Sequence, residues 1–389
     1  MQNVLDKIKP SKEEIKKLNK IVNEILSKID IEDTKAILGG SGAKGTWLKN
    51  THDIDVFVKF NYQKYKNKSD KISQILEKNL KSKFKIAKLH GSRDYFQIKK
   101  DNITFEIVPI LDIKNANQAK NITDVSPLHA KWVKKHNHQD EILLTKAFAR
   151  AQKVYGAETH IKGFSGYVLE ILTIYYGSFK NLVNKISKWK ERTIIDIEKH
   201  HKNPLKELNK SKLQSPLILI DPVDKSRNAA AVLSKEKYDL FIKSCKNLPK
   251  NPTIKDFTEK QSKIPKSTIK IKFSTKGKKD VIGGKLYSAF EKLKKQLILN
   301  DFKIKKSGFI LEENAVMWIK LVNNTLSKYH EIRGPPILNK KHLQRFKEKH
   351  KKAYTKDGIS YAKEKRKFTR AKDLINDYFK KNKLKVRFT

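Results

Sequence analysis

The chain has 389 residues, of which 38% are hydrophobic, and this length allows two or three domains with cores of their own. Its 87 lysines and arginines outnumber its 41 aspartates and glutamates, and the formal net charge of +46 indicates a polyanionic partner such as nucleic acid. A genome that favours lysine is the alternative source of this charge, so composition by itself does not prove the partner.

Cysteine content and hydropathy narrow the cellular setting. The single cysteine, Cys245, excludes an internal disulfide and a thiolate metal cluster. The N-terminus lacks an apolar segment of signal-peptide length, and no run of about 18 uncharged apolar residues occurs in the sequence. We therefore expect a soluble, cytoplasmic protein that is not exported and has no membrane partner.

The first predicted elements are a helix and a small α/β domain. Ser11 and Glu14 form a capping box, and apolar residues follow at helical spacing. Short β-rich runs then alternate with a helix near Asp70–Leu80, a pattern that predicts a catalytic domain over residues 1–126. The runs are Ala36–Leu38, Ile54–Phe60, Lys83–Leu89, Tyr95–Lys99 and Ile103–Val108.

The rest of the chain is divided into two further predicted domains, giving an α+β protein overall. Residues 127–250 are predicted to be mostly helical, with helices over Glu141–Lys153, Phe164–Tyr176 and Lys180–Trp189. A proline-containing linker, Leu248–Ser267, leads into a third domain over residues 251–389, where a β-α-β-β pattern predicts a ferredoxin-like fold. From Lys340 onward, lysines with interleaved aromatic residues predict a basic tail that faces RNA.

Three carboxylates on two predicted strands form the candidate catalytic centre. Gly40 and Ser41 are followed, after eleven residues, by the sequence Asp53-Ile54-Asp55. Because side chains alternate along a strand, Asp53 and Asp55 point to one face, about 6.6 Å apart by strand rise. Glu106, on a neighbouring strand, lies on the face opposite its apolar neighbours. Two-metal phosphoryl transfer holds cations about 3.5–4 Å apart, and paired carboxylates suit that task.

A glycine-rich turn precedes these aspartates. The residues from Gly39 to Gly42 follow a predicted strand and lead toward a helix, an arrangement that allows close backbone approach and binding of a triphosphate. A solvated strand edge or an ordinary turn would explain either feature alone. Together, the turn, the spacing and the third carboxylate resemble the DNA polymerase β-like nucleotidyltransferase superfamily, which implies its fold for the head domain.

Longer motifs resemble one family of that superfamily, the archaeal, class I CCA-adding enzymes. The motifs follow the family's order, cover roughly residues 30–370 and are strongest over residues 38–235. The Glu-Asp-x-x-Arg motif of class II enzymes is not found. The matching motifs are GSGAKGTWLK (40–49), SPLHAKW (126–132), KAF (146–148), YGAE (155–158), GFSGYVLE (163–170) and DPVDKSRNAA (221–230).

Carried over by position, this resemblance implies roles for nine residues. The implied catalytic residues and metal ligands are Asp53, Asp55 and Glu106. The implied contacts to the phosphates and sugar of the incoming nucleotide are Ser41, Lys44, His129, Lys146 and Tyr155, and Arg227 is implied to read the base. Taken singly, each contact has an alternative as a surface or packing residue, and Arg227 has one as the ion-pair partner of Asp221 or Asp224.

Some positions depart from the family's usual pattern. Asp53, Glu106 and Lys44 stand where the family usually has Glu, Asp and Arg, so the charges are preserved although the side-chain lengths differ. Gly42 replaces a usual Tyr, and the chain stops earlier than most members, which leaves the far-end contact with the tRNA elbow open.

The resemblance implies a template-independent nucleotidyltransferase that adds C, C and A to the 3′ end of tRNA. CTP and ATP are the implied substrates, pyrophosphate is released, and two Mg²⁺ ions are the implied cofactors. One alternative is a class I poly(A) polymerase or oligoadenylate synthetase-like transferase. A second is a non-catalytic RNA-binding protein on the same fold. The implied partner is tRNA, and whether the protein is a homodimer is left open.

Overall fold

The computed structural model describes residues 1–49, 51, 53–259, 264–274, 279–311, 314–384 and 387–388. The chain forms two compact units, residues 1–261 and 262–389. The predicted boundary after residue 126 lies inside the first unit, and the division of that unit into two domains stays a prediction. Among the described residues, no helix has both the length and the apolar composition needed to cross a membrane.

Both units combine α-helices with β-strands. The first unit contains α1 (Gln2–Ile8), α2 (Lys12–Lys28), β1 (Thr34–Leu38), α3 (Gly40–Lys44), β2 (Asp53–Asn61), α4 (Tyr62–Tyr65), α5 (Ile72–Lys81), β3 (Ile86–Leu89), β4 (Tyr95–Lys100), β5 (Ile103–Asp112), α6 (Ser126–His136), α7 (Gln139–Ala151), α8 (Gly166–Tyr176), α9 (Phe179–Ile186), β6 (Thr193–Ile195), α10 (Pro204–Glu207), β7 (Leu217–Asp221), β8 (Asp224–Asn228) and α11 (Lys235–Asn247). The second contains β9 (Ile269–Ser274), α12 (Lys279–Leu299), β10 (Ile304–Leu311), β11 (Asn314–Leu321), β12 (Tyr329–Pro336), α13 (Lys340–Lys349), β13 (Ala353–Lys356), β14 (Ile359–Lys365), α14 (Ala371–Lys381) and β15 (Arg387–Phe388).

A five-stranded sheet forms the head of the first unit, with the strand order β1-β2-β5-β4-β3. β2 and β5 pair in parallel, whereas the other neighbouring strands pair antiparallel. Ile54, Val56 and Val58 of β2 are buried in one core with Leu18 and Ile25 of α2. Because side chains alternate along a strand, the polar positions of β2 lie on the opposite face of the sheet.

The start of α2 and most strands of the head agree with the sequence. The capping box is formed, since Ser11 Oγ accepts from Glu14 N at 3.1 Å and Glu14 Oε2 accepts from Ser11 N at 2.7 Å. The strand predicted over Lys83–Leu89 begins later, at Ile86. The reason is that the amides of Lys83 and Phe84 still bond to the Leu80 carbonyl at the end of α5.

Helices form the second part of the first unit, around a core that includes Phe148, Phe164 and Phe241. The prediction of a helical segment was incomplete there, because β6, β7 and β8 form a three-stranded sheet with the order β6-β7-β8. All five residues of Leu217–Asp221 are buried, and a short, continuous apolar run is typical of a fully buried strand. The motif at residues 221–230 therefore begins at the turn between two paired strands.

The second unit is built on a four-stranded sheet with the order β10-β11-β9-β15. Neighbouring strands are antiparallel throughout this sheet. Residues of α12 and α14 share the core of this sheet. Together, the four strands and two helices follow one another in the order β-α-β-β-α-β, which is the connectivity of the ferredoxin-like fold. A second sheet, with the order β12-β14-β13, and α13 are inserted between β11 and α14.

The segment from Lys340 onward, predicted to be a basic tail that faces RNA, is folded into the second unit, and its contact with RNA stays a prediction. This segment contains α13, β13, β14 and α14, and β14 is the central strand of the inserted sheet. Leu374, Ile375 and Phe379 of α14 are buried in the core of the unit. The many lysines obscured a helical repeat of apolar residues in the sequence, because long charged side chains occupy the exposed face of the same helix.

The burial of α14 predicts that Phe379 stabilises the second unit. Phe379→Ala should lower the free energy of unfolding of this unit by about 3–5 kcal/mol, because it removes a buried aromatic ring and leaves a cavity. Hydrogen exchange of the amides of α14 and β9 would measure the change. Leu338→Ala is the control, since Leu338 is 90% exposed. Unchanged exchange in Phe379→Ala would mean that α14 is not part of the core.

Candidate active site

Two neighbouring strands carry the predicted catalytic carboxylates. Asp55 on β2 lies opposite Glu106 on β5 in the parallel register, and Asp53 lies opposite Thr104. Residues opposite each other in a ladder point to the same face of the sheet, so Asp55 and Glu106 face one site. On the other side of Glu106, Gln97 of β4 donates from Nε2 to Glu106 Oε1 at 2.9 Å.

The glycine turn approaches Asp55 directly. Gly39 N donates to the Asp55 carbonyl oxygen at 2.8 Å, and α3 begins at the next residue. Gly40 has a φ of +51°, and a Cβ added there would lie 1.7 Å from Asp55 Oδ2. Only glycine satisfies both the backbone conformation and the close approach at this position. The first turn of α3 is therefore held against the carboxylate.

Burial and the neighbouring acidic groups together disfavour the charge of Asp55 on this face. Burial, followed by the charge of Glu106, raises the pKa of Asp55 from 3.8 to about 6. Lys44 acts in the opposite direction, and the charge of Asp53 adds to the increase. A positive charge beside Asp55 and Glu106 would relieve this repulsion.

The carboxylates fit a divalent cation that takes its remaining ligands from elsewhere. In the part of the chain that the structure describes, no group of three or more His, Cys, Asp or Glu side chains is arranged to hold a metal ion by itself. Mg²⁺ is usually bound by one or two carboxylates together with substrate phosphates and water. The chemistry of the donor set and the raised pKa of Asp55 suit a site that phosphate oxygens complete.

A buried carboxylate, Glu170 of α8, gathers two of the predicted nucleotide-binding residues. Lys44 Nζ donates to Glu170 Oε2 at 2.7 Å, and Lys146 Nζ donates to Glu170 Oε1 at 2.6 Å. Burial would raise the pKa of Glu170, but the charges of Lys146 and Lys44 lower it to about 2. Lys146 Nζ also donates to Thr46 Oγ1 at 2.9 Å and Thr46 O at 3.1 Å, so a phosphate contact by Lys146 would replace one of three bonds.

A second buried carboxylate, Asp221 at the end of β7, contacts two more of the predicted nucleotide-binding residues. His129 Nε2 lies 3.0 Å from Asp221 Oδ2, and Arg227 Nη1 donates to the same oxygen at 2.6 Å. Burial lowers the pKa of His129, and Asp221 opposes this shift. Burial would raise the pKa of Asp221, but hydrogen bonding and charge from His129, and then the charge of Arg227, lower it to about 2.

Tyr167 links the two clusters. Its hydroxyl donates to Asp221 Oδ1 at 3.1 Å, and its ring stacks on His129 with the ring centroids 4.0 Å apart. Lys44 Nζ lies 5.2 Å from the centroid of the same ring, within the range of a cation–π contact. The ion pair proposed as the alternative for Arg227 is thus present, with Asp221 as partner. The Arg227 side chain keeps 32% of its surface exposed, and base reading stays a prediction.

The last two predicted residues lie at the edges of these clusters. Ser41 is in α3, one residue after the glycine that contacts Asp55, and its carbonyl accepts from Thr46 N at 3.0 Å. Tyr155 is half-buried, with Arg150 Cζ 4.8 Å from its ring centroid. A Cβ added to Gly166 would lie 3.0 Å from the Tyr155 hydroxyl, so Gly166 leaves room for that group. The roles of both residues stay predictions.

Three residues of these clusters, Glu170, Thr46 and Tyr167, lie inside the family motifs, but no role was predicted for them from the sequence. Glu170 had a usable signal, because it is a single acidic residue within the otherwise uncharged segment of α8. An unpaired charge is not tolerated in such a position, so a basic partner could have been predicted. Thr46 and Tyr167 had no comparable signal, since their partners lie far away in sequence.

Comparisons with known proteins cover most of the chain. Family profiles match three consecutive segments: a nucleotidyltransferase domain over residues 15–129, the second domain of tRNA nucleotidyltransferase over residues 140–258, and the C-terminal domain of CCA-adding enzyme over residues 266–386. The CCA-adding enzyme of Nanoarchaeum equitans is 37% identical to this chain over an alignment of 365 positions, which covers 90% of each protein. The chain belongs to the CCA-adding enzyme family.

Other members of the CCA-adding enzyme family match over similar lengths. The enzyme of Methanosarcina mazei is 32% identical over 408 residues, covering 96% of this chain and 87% of its own. That of Methanocaldococcus jannaschii is 32% identical over 411 residues, covering 97% and 89%. A solved structure of Cid1, described as an RNA terminal uridylyl transferase, matches with a TM-score of 0.51 at 14% identity and covers 68% of this chain and 98% of its own. This likeness shows the fold alone, and the predicted nucleotidyltransferase head is confirmed.

The raised pKa of Asp55 predicts that its charge destabilises the metal-free protein. Between about pH 4 and pH 6 the folded state holds a proton that the unfolded state has lost, so stability falls as the pH rises, and the full cost is present above pH 6. In the presence of a metal chelator at pH 8, the free energy of unfolding of Asp55→Asn should therefore be about 1–3 kcal/mol higher than that of the wild type. The gain should disappear near pH 4.

Chemical denaturation at pH 4 and pH 8 would measure this difference. Asp112→Asn is the control, because Asp112 lies at the other end of β5, with its side chain 47% exposed and 2.6 Å from Lys59 Nζ. The control should not gain stability at pH 8. If Asp55→Asn is no more stable than the wild type at pH 8, the charge of Asp55 is not destabilised by burial and repulsion on this face.

Proposed function

We propose that this chain adds C, C and A to the 3′ end of tRNA from CTP and ATP, with release of pyrophosphate and with Mg²⁺ as the cofactor. Within one compact unit, the carboxylates of β2 and β5 adjoin a helix, α3, whose Lys44 reaches both the Glu170 cluster and Tyr167 of the Asp221 cluster. Acidic groups for cations, basic groups for a triphosphate and a partly exposed guanidinium therefore form one continuous site.

The carboxylates provide the end of the site where the RNA hydroxyl reacts. Asp53, Asp55 and Glu106 would hold two Mg²⁺ ions, which, when bound, activate the 3′-hydroxyl and neutralise charge on the departing pyrophosphate. Gly40 keeps α3 against Asp55, so the nucleotide's phosphates and the carboxylates share one narrow space. Gln97 orients Glu106 by donating to one of its oxygens.

The basic residues provide the binding site for the triphosphate. Lys44 acts as a point donor, and its side chain keeps 11% of its surface exposed beside Glu170. Ser41, His129, Lys146 and Tyr155 complete the contacts to phosphates and sugar in this proposal. Burial lowers the pKa of His129, and in the neutral ring the single N–H lies on Nε2 and is donated to Asp221, so Nδ1 would act as an acceptor toward a sugar hydroxyl of the nucleotide.

Arg227 is proposed to select the base, because no template strand does so. Cytosine and adenine each present an acceptor ring nitrogen beside an exocyclic amine, whereas uracil and guanine present a ring N–H beside a carbonyl. A guanidinium offers a planar fork of donors. The bond from Nη1 to Asp221 fixes one side of that fork and leaves the group partly exposed, so the ion pair and base reading are compatible.

The deciding experiment supplies tRNA that lacks its last three nucleotides, first with each nucleoside triphosphate alone and then with CTP and ATP together. We expect two C residues with CTP alone, and C, C and A with both. Addition of A alone or of an A tract would favour a poly(A) polymerase. An absence of pyrophosphate release with every substrate would favour a non-catalytic RNA-binding protein.

Asp55→Asn tests the carboxylate assignment. The substitution is nearly isosteric and removes the charge, so tRNA binding should persist while incorporation falls by roughly 10³-fold or more. Filter binding of tRNA and incorporation of labelled CTP would measure the two properties. Turnover at the wild-type rate would contradict the role of Asp55.

Arg227→Lys tests base selection. Lysine keeps the charge and loses the planar fork, so CTP and ATP should be incorporated with a loss of about 1.5–3 kcal/mol in kcat/KM, and discrimination against UTP should weaken. Kinetics with CTP, ATP and UTP would measure both effects, with tRNA affinity as the control. If Arg227 only holds its loop, all nucleotides lose activity in parallel and the melting temperature falls.

A further inference from the structure

Glu170 is a charged group in a place that should hold an apolar one. Its side chain is 1% exposed, and Leu169 and Ile171, its neighbours on α8, are fully buried in the same core. An ionised carboxylate in such surroundings persists only when charges and hydrogen bonds offset its loss of water. The structure supplies these partners from two other segments of the chain.

Both oxygens of Glu170 are bonded, and the cluster has a net positive charge. Oε2 accepts from Lys44 Nζ at 2.7 Å, whereas Oε1 accepts from Lys146 Nζ at 2.6 Å and from Thr46 Oγ1 at 2.8 Å. Two ammonium groups thus share one carboxylate. The remaining positive charge is not cancelled within the cluster, so an anion is the ligand that the cluster can accept.

Thr46 closes the cluster into a ring of hydrogen bonds. Its hydroxyl donates to Glu170 Oε1 and accepts from Lys146 Nζ at 2.9 Å. Thr46 reaches this position because Gly45 ends α3 with a φ of +69°, a backbone conformation that glycine adopts without strain. The C-terminal end of α3 is therefore fastened to α7 and α8.

The opposite end of α3 is fastened to the carboxylate face. The space beside Gly40 is filled by Asp55, and Gly39 N bonds to the Asp55 carbonyl oxygen. Because α3 has five residues, a shift at its Lys44 end is transmitted to the end that contacts Asp55. Glu170 thereby influences where a phosphate group lies relative to the catalytic carboxylates.

We propose that Glu170 is a positioning residue for the incoming nucleotide: anchored by Lys146 and Thr46 on one oxygen, it holds the ammonium group of Lys44 in place on the other, so that Lys44 receives a nucleoside triphosphate at the carboxylate face. This inference rests on the proposed function. Glu170 does not touch the nucleotide, and it acts through Lys44, whose side chain is the exposed edge of the cluster.

Glu170→Gln keeps the size of the side chain and removes the charge that organises the two lysines. The KM for CTP and for ATP should rise roughly tenfold or more, on the scale of a lost charged hydrogen bond, while the affinity for tRNA stays unchanged. Equilibrium dialysis with labelled CTP, in the absence of tRNA, should show the same loss of affinity and does not depend on turnover.

Two further variants separate positioning from simple stability. Glu141→Gln is the matched control, because Glu141 Oε2 accepts from Phe179 N at 2.6 Å, and Glu141 lies at the start of α7, away from the site. It should lower the melting temperature without changing KM. If Glu170→Gln does not fold, Thr46→Val removes the two hydrogen bonds that the Thr46 hydroxyl makes in the ring, keeps all charges and should raise KM by a smaller factor.

The double variant that combines Glu170→Gln with Lys44→Met shows whether Glu170 acts on CTP binding through Lys44. If Glu170 acts through Lys44, the double variant should lose little more CTP affinity than Lys44→Met alone. Additive losses, or an unchanged KM in folded Glu170→Gln, would overturn the inference. A failure of the proposed function is distinguishable from these outcomes, because it would appear as wild-type protein that binds CTP and does not extend tRNA with C, C and A.

Discussion

The parallel pairing of β2 with β5 is the constraint on which the rest of the site depends. The register that buries Ile54 and Val56 against Phe105 and Ile107 also places Asp55 opposite Glu106 on the other face. The core thus buries Asp55 and holds a second carboxylate beside it, and the two effects together raise the pKa of Asp55. Such local strain is a common feature of sites whose missing charge is supplied by a ligand.

The surrounding polar residues are organised by two other buried carboxylates. Glu170 collects donors from α3 and α7, and Asp221 collects donors from α6, α8 and β8. In both cases basic partners lower the pKa of the carboxylate, and most of these partners lie far away in sequence. Several short segments are therefore held in one arrangement by charge pairs that would be costly to leave half-formed.

Much of this arrangement could be predicted from the sequence. The pattern of Asp53, Asp55 and Glu106 on two strands follows from the alternation of side chains, and the capping box at Ser11 is a local signal. The family motifs located the basic residues. Local signals and motifs do not show which side chains bond to each other. The bonds of Lys146 to Glu170 and of His129 to Asp221 are therefore visible only in the structure.

The errors have physical causes as well. The strand Leu217–Asp221 was missed because a short, buried apolar run has no periodicity to separate it from a helix. The tail was assigned from its lysines, although Leu374, Ile375 and Phe379 bury one face of α14. In so basic a chain, charge describes the surface and says little about which segments fold.

In the proposed function, the carboxylate face binds divalent cations jointly with the nucleotide's phosphates. Equilibrium dialysis with Mn²⁺, at matched free metal concentrations, measures this binding in the presence and absence of CTP. We expect weak binding without CTP and about two ions per chain with it, with the increase lost in Asp55→Asn. Equal Mn²⁺ binding with and without CTP, or an increase that survives in Asp55→Asn, would contradict it.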